Sequence, residues 1–138
     1  IQEIILQNFH PKPQTLMYNH STPKEDYFKM VVALCRILMP DANIQIPPNL
    51  SPNNYHEFVT IGINDWGGIS PITSDYVNPE FSWPNIKNVE GRCNELGFSL
   101  KARFPVYPEF ISLVNNDLKQ RISLIADKEN YVKESYWK

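Results

Sequence analysis

Residues 62–84, GINDWGGISPITSDYVNPEFSWP, open with an apolar position that turns polar in one step: Ile63 is followed by Asn64 and Asp65, then by Trp66 and the pair Gly67-Gly68. A strand ending this way carries its polar groups where the chain leaves the sheet. The two glycines admit backbone conformations closed to other residues and let a second group approach the main chain closely. The same pattern recurs twice upstream. Ile4-Ile5-Leu6 give way to Gln7-Asn8 before the break at His10-Pro11-Lys12-Pro13. Ile44-Gln45-Ile46 are cut by Pro47-Pro48, with Asn49 directly after.

Helical signals separate these strands. Thr22-Pro23-Lys24-Glu25 has the form of a capping box with proline at the first helical position, and Tyr27, Phe28, Val31, Leu34, Cys35 and Leu38 recur at helical spacing until Pro40. Ser51-Pro52 repeats the cap-plus-proline signal, predicting a short helix with Tyr55, Phe58 and Val59 inward and Gly62 as its C-cap. Ile86, Val89, Cys93 and Leu96 mark another helix closed by Gly97. Leu100, Ala102, Phe104 and Val106 alternate like a strand, and Phe110, Ile111, Val114, Leu118, Ile122 and Ile125 after Pro108 predict one last helix. Strands alternating with helices argue for an α/β fold of parallel βαβ units, about three of them, plus a C-terminal strand and helix. A complete eight-stranded barrel typically needs about 250 residues. The 138 residues are therefore read as one domain, either a small open sheet or part of a barrel.

With 42% hydrophobic and 20% charged residues the chain can bury a core, which argues against disorder. A net charge of −2 supplies no basic field for phosphates, which argues against nucleic acid. The apolar run from Met30 to Cys35 is broken by Arg36 and falls far short of the ~20 residues of a bilayer span. No membrane partner is expected, and the cytoplasm is the expected compartment. Cys35 and Cys93 sit among apolar helical positions and read as small core residues. His10, His20 and His56 lie far apart, with no partner at metal-ligand spacing, so no metal site is assigned.

In α/β sheets ligands bind beyond the carboxyl ends of the strands. Those ends carry Gln7 and Asn8, Gln45 and Asn49, and Asn64 and Asp65. A mostly uncharged set of this kind suits a polar, neutral substrate rich in hydroxyl and carbonyl groups, although the same residues also cap helices and fasten loops. Asp65 is the candidate catalytic group, a base if desolvated and otherwise a turn cap or ion-pair partner. Trp66 offers a stacking plane beside Gly67 and Gly68, or packs on backbone. Lys12 between two prolines reaches an anionic group or solvent. Lys101 and Arg103 are read as surface ion-pair residues. No Ser-His-Asp order, Walker loop or Gly-x-Gly-x-x-Gly occurs.

The ordered set of residues 1–9, Lys12-Pro13, Ile44-Gln45-Ile46-Pro47-Pro48-Asn49-Leu50, residues 62–71 and Pro105-Val106-Tyr107-Pro108-Glu109 resembles the radical SAM subunit of FO synthase, which makes the deazaflavin core of coenzyme F420. Asn64-Asp65-Trp66-Gly67-Gly68, Val77-Asn78-Pro79-Glu80 and Trp83-Pro84 carry the resemblance most specifically. Gly-x-Asn-Asp alone also fits related radical SAM enzymes of menaquinone synthesis. The resemblance implies the C-terminal part of a radical SAM (β/α) TIM-type barrel over residues 1–138. It further implies a [4Fe-4S] cluster and S-adenosyl-L-methionine (SAM) in the complete enzyme. The Cys-x-x-x-Cys-x-x-Cys cluster motif is absent from this sequence, so the chain alone is expected to be inactive. The implied substrate is a tyrosine-derived ribitylaminouracil adduct, cyclised with loss of ammonia. Implied partners are an N-terminal half or the second FO synthase subunit. Gln7, Asn8, Lys12, Gln45, Asn49, Asn64, Asp65, Trp66, Gly67 and Gly68 are the implied substrate- or cofactor-binding residues. A noncatalytic α/β binding domain is the reading from another class.

Overall fold

The computed structural model describes residues 1–70 and 72–138; Pro71, which closes the 62–71 segment above, lies outside them. The chain divides into two compact units, Ile1 with Glu3–Phe98 and Gln2 with Ser99–Lys138.

The first unit is built on parallel segments. Strand β1 (Ile4–Ile5) pairs with β2 (Ile44–Gln45), Ile4 opposite Ile44 and Ile5 opposite Gln45. A parallel bridge joins Gln45 to Asp65, with Asn64 N donating to Ile44 O at 3.1 Å and Ile46 N to Asp65 O at 3.2 Å. β2 thus lies between β1 and residues 63–65. The α/β alternation read from the sequence is the one found, with helix α1 (Glu25–Leu38) between β1 and β2 and helix α2 (Glu57–Ile61) before residue 63.

The core forms around β2 from part of each helix face: of the α1 stripe read from the sequence, Phe28 is buried but Tyr27, Leu34 and Leu38 are exposed, and Val32, outside that stripe, is fully buried. Phe28 and Val32 of α1, Ile44, Ile46, Leu50, Phe58 of α2 and Ile63 are buried, and the Phe28 and Phe58 rings meet edge to face at 5.4 Å. Arg36 in the last turn of α1 fastens the connections. Its Nε donates to Gly62 O at 2.7 Å, and its Nη1 donates to the carbonyls of Pro40 and Ala42, each at 2.7 Å. Gly62 ends α2 with φ 135°, a conformation that excludes side chains. Helix α3 (Ile86–Glu95) buries Val89 and Cys93. It closes on Gly97 (φ 81°), with Phe98 N bonded to Cys93 O and Gly97 N to Asn94 O, the paired bonds of a Schellman end.

Four local expectations are corrected. Helix α1 begins at Glu25 rather than beside Thr22, with Lys24 at its N-cap and no side-chain cap bond. The Glu25 carboxylate is taken by Lys29 and Asn54 instead of reaching back along the chain. Residues 52–56 form turns, so α2 is shorter than the Ser51-Pro52 signal suggests. In the second unit residues 99–104 form no strand. Val132 N donates to Ala102 O at 2.8 Å, Pro105 supplies no donor, and the bridge between Ala126 and Val132 stands alone. The last helix is divided into a 3-10 turn at Pro108–Leu113 and helix α4 (Asn116–Ile125), because the side chain of Asn115 caps the latter by accepting from Leu118 N at 2.9 Å.

Candidate functional site

Parallel strands put their carboxyl ends on one side, so the segments that follow β1 and β2 emerge together. There the chain assembles a polar cluster. Asn49, in the 3-10 turn after β2, is fully buried. Its Nδ2 donates to Asp75 Oδ2 at 2.9 Å and lies 3.4 Å from Phe81 O. Asp75 also accepts from Val77 N at 2.9 Å, Asn78 N at 3.2 Å and Asn78 Nδ2 at 3.2 Å. Partial burial pushes the Asp75 carboxyl upward, yet the bonds from Asn49, Asn78 and the two backbone N–H groups outweigh it and hold the group below its ordinary range. His10 joins the cluster from the β1 side. Its Nε2 is 3.2 Å from Leu50 O, and its ring lies 4.4 Å from that of Phe81.

Lys12 pairs with Glu80 and stands 5.6 Å over the Phe81 ring. The bond from Lys12 lowers the Glu80 carboxyl. A cleft of about 140 Å3 opens beside the cluster, lined by Asn8, Glu25, Phe28, Ser51, Asn54 and Phe58 among others. Lys29 bridges Glu25 and Glu57 near it, 2.6 Å from the latter. The bonds from Lys29 hold the Glu25 carboxyl low, and the two carboxylates raise Lys29. Two amide oxygens, Asn8 Oδ1 and Asn49 Oδ1, are buried with no hydrogen-bond partner among the described residues. Such oxygens are acceptors for an N–H or O–H brought by a ligand.

The remaining residues singled out in the sequence fall elsewhere. Register places Ile5, Gln45 and Asp65 on one face of the three segments. On it Asp65 Oδ1 accepts from Gly67 N at 2.5 Å, and Gly67 (φ 73°) lies so close to Gln45 that a Cβ there would stand 2.7 Å from its Cδ. Asn64 Oδ1 accepts from Ile44 N at 2.8 Å and from Arg36 Nη2 at 3.3 Å, while its Nδ2 donates to Asn43 Oδ1 at 2.7 Å. It thereby pins the start of β2. Trp66 is buried edge-on to Tyr55 at 5.5 Å and bonds Cys93, whose thiol burial pushes up. Gln7 and Gly68 are exposed. His10, Asp75, Phe81 and Asn54 were not singled out. Asp75 had a signal, since an acid two and three residues before Val77 and Asn78 is the pattern of a side chain closing an Asx turn.

The described residues bring together no group of three or more His, Cys, Asp or Glu side chains able to hold a metal, and the two cysteines lie on α1 and α3. No described helix is long and apolar enough to cross a membrane.

No family model and no solved structure matches the chain. Curated relatives do. A protein of Methanococcus maripaludis (strain S2) named 7,8-didemethyl-8-hydroxy-5-deazariboflavin synthase is 47% identical over 113 residues, which is 81% of this chain and 34% of that protein. One of the same name from Methanopyrus kandleri is 36% identical over 135 residues, 96% of this chain and 40% of the relative. The chain matches a part of 7,8-didemethyl-8-hydroxy-5-deazariboflavin synthase. A third relative of that name, from Methanocaldococcus jannaschii, is 46% identical over 112 residues, again 81% of this chain and 31% of the relative. The chain therefore spans about a third of the length of these relatives.

Proposed function

We propose that this chain is a substrate-holding part of an FO synthase, the radical SAM enzyme that closes the deazaflavin ring of coenzyme F420 from a tyrosine-derived ribitylaminouracil adduct with loss of ammonia. The observation that carries the reading is the match to proteins named for that product along 81 to 96% of the chain. The parallel order of β1, β2 and residues 63–65, with α1 and α2 between them, supports placing the first unit in a TIM-type barrel.

A [4Fe-4S] cluster does not fit the residues present, because it takes cysteine thiolates from a shared loop and this chain has two cysteines on separate helices, one of them buried. Cluster and SAM chemistry is therefore assigned to sequence outside these residues, in the same polypeptide or a second one. This chain's own contribution is recognition. Asn8 and Asn49 accept N–H or O–H groups of the uracil or ribityl moiety. Gln45 and Asp65 offer further polar contacts on the strand face, and Lys12 holds the 75–81 loop in place through Glu80. Pockets for drug-sized ligands typically run to about 300–1,000 Å3. The cleft of about 140 Å3 matches one ring or one end of such a substrate.

Calorimetric titration of the full chain with a ribitylaminouracil tests this. Binding in the micromolar to millimolar range that is lost in Asn8→Ala is expected. Failure of the parent chain to bind, or equal binding by Asn8→Ala, would overturn the assignment.

A further inference from the structure

We propose that Asp75 is a positioning residue that turns the Asn49 side chain so that its Oδ1 serves as the acceptor for a ligand N–H or O–H. The inference rests on the substrate-holding reading above and deepens it.

The argument begins with the inventory of an amide, which has two donors on nitrogen and lone pairs on oxygen. Nδ2 of Asn49 faces two groups that can only accept, the Asp75 carboxylate at 2.9 Å and the Phe81 carbonyl at 3.4 Å. The reversed amide would set oxygen against oxygen at both contacts, so the orientation is chemically determined. Oδ1 must then point away from both, and it is buried without a partner among the described residues on a side chain that is 0% exposed. An unpaired buried acceptor destabilises the folded chain by the desolvation of that atom. A ligand donor that meets it recovers this cost on binding.

Asp75 is itself held from both sides. Oδ1 accepts from the backbone N–H groups of Val77 and Asn78, and Oδ2 accepts from the side chains of Asn49 and Asn78. This gives Asp75→Asn a specific consequence. An asparagine there must turn its NH2 either toward the two backbone donors or toward Asn49. Keeping the backbone bonds puts NH2 against Asn49 Nδ2 and Asn78 Nδ2, so the Asn49 amide either loses its acceptor or reverses with Oδ1 toward the Phe81 carbonyl, and in neither case is Oδ1 held toward the ligand.

The experiment uses the full chain, 15N-labelled, and reads two quantities. In the parent, the Asn49 side-chain amide protons should exchange at least tenfold more slowly than those of exposed Asn53, and Asp75→Asn should abolish this difference. Titration with a ribitylaminouracil, at a temperature below the thermal midpoint of both proteins, should give a Kd at least tenfold weaker for Asp75→Asn. If the parent binds and Asp75→Asn binds within twofold, the positioning role is wrong and the substrate-holding reading stands. If the parent does not bind, that reading falls and the ligand-facing role of Asn49 falls with it. Should Asp75→Asn not fold, Asn78→Ala removes one donor from Asp75 Oδ2 while the backbone still holds Oδ1. A roughly threefold weaker Kd is expected there, and unchanged affinity would sink the proposal.

Discussion

In the first unit Phe28, Val32, Ile44, Ile46, Phe58 and Ile63 are withdrawn from water around β2, whereas in the second α4 buries none of its side chains, and Phe104 and Tyr107 are the buried apolar residues among those described. The second unit relies on local bonds. Asp127 Oδ1 accepts from Glu129 N and Tyr131 N, Asn115 caps α4, and Lys101 pairs with Glu129. Apolar burial contributes about 25 cal/mol per Å2, while an exposed ion pair contributes roughly 0–1 kcal/mol. The first unit therefore has the cooperative core that can hold a polar site to fixed geometry, and the second has marginal elements that depend on single hydrogen bonds.

The sharpest way to break this contrast is to truncate a large side chain in each unit. Phe58→Ala removes a fully buried ring that packs against Phe28 and should cost about 3–5 kcal/mol in a denaturant titration. Leu124→Ala in α4, at a position 71% exposed, should cost less than about 0.5 kcal/mol. Comparable losses at the two sites would contradict the burial pattern. A smaller effect, still within the first unit, is expected for Gly62→Ala. Its φ of 135° disfavours any side chain, and the new methyl would stand 2.8 Å from Cβ and Cγ of Arg36. Arg36 Cβ is fixed to helix α1 and cannot swing aside, so strain and overpacking together should cost about 3 kcal/mol. A midpoint shifted by less than a third of that would mean that the end of α1 yields.

What could be read from the sequence follows the same division. The α/β alternation, the buried Val89 and Cys93 of α3 and the C-caps at Gly62 and Gly97 were legible, because a buried stripe and a glycine with positive φ leave periodic or single-residue marks, whereas the inward face of α1 was legible only at Phe28. The start of α1 was not, because Glu25 spends its carboxylate on Lys29 and Asn54, partners that only the fold supplies. The alternation from Leu100 to Val106 resembled a strand, but a strand also needs a neighbour with a matching ladder, and here the pairing reduces to one bond from Val132. At the candidate site, the polar residues after β1 and β2 lie at the carboxyl ends of the parallel segments, where the sequence put them. Asn64 carries the same signature as Asn49, yet one fastens the start of β2 and the other meets the 75–81 loop. Long-range partners decide that difference, and no local pattern encodes them.

The mildest test falls on the second unit and asks whether its parts stand or fall separately. Asn115→Ala removes the oxygen that accepts from Leu118 N, leaving an unpaired donor in the first turn of α4. Loss of such a cap costs about 1 kcal/mol. Because α4 buries no side chain, little packing offsets that loss, and isolated helices of this length are marginal in water. Amide exchange across residues 116–125 should therefore quicken about fivefold, the factor equivalent to about 1 kcal/mol, while the amides of Val32 and Phe58 keep their parent rates. If protection at Val32 and Phe58 falls together with that of α4, the two units unfold as one, and the contrast drawn from their burial does not extend to their cooperativity.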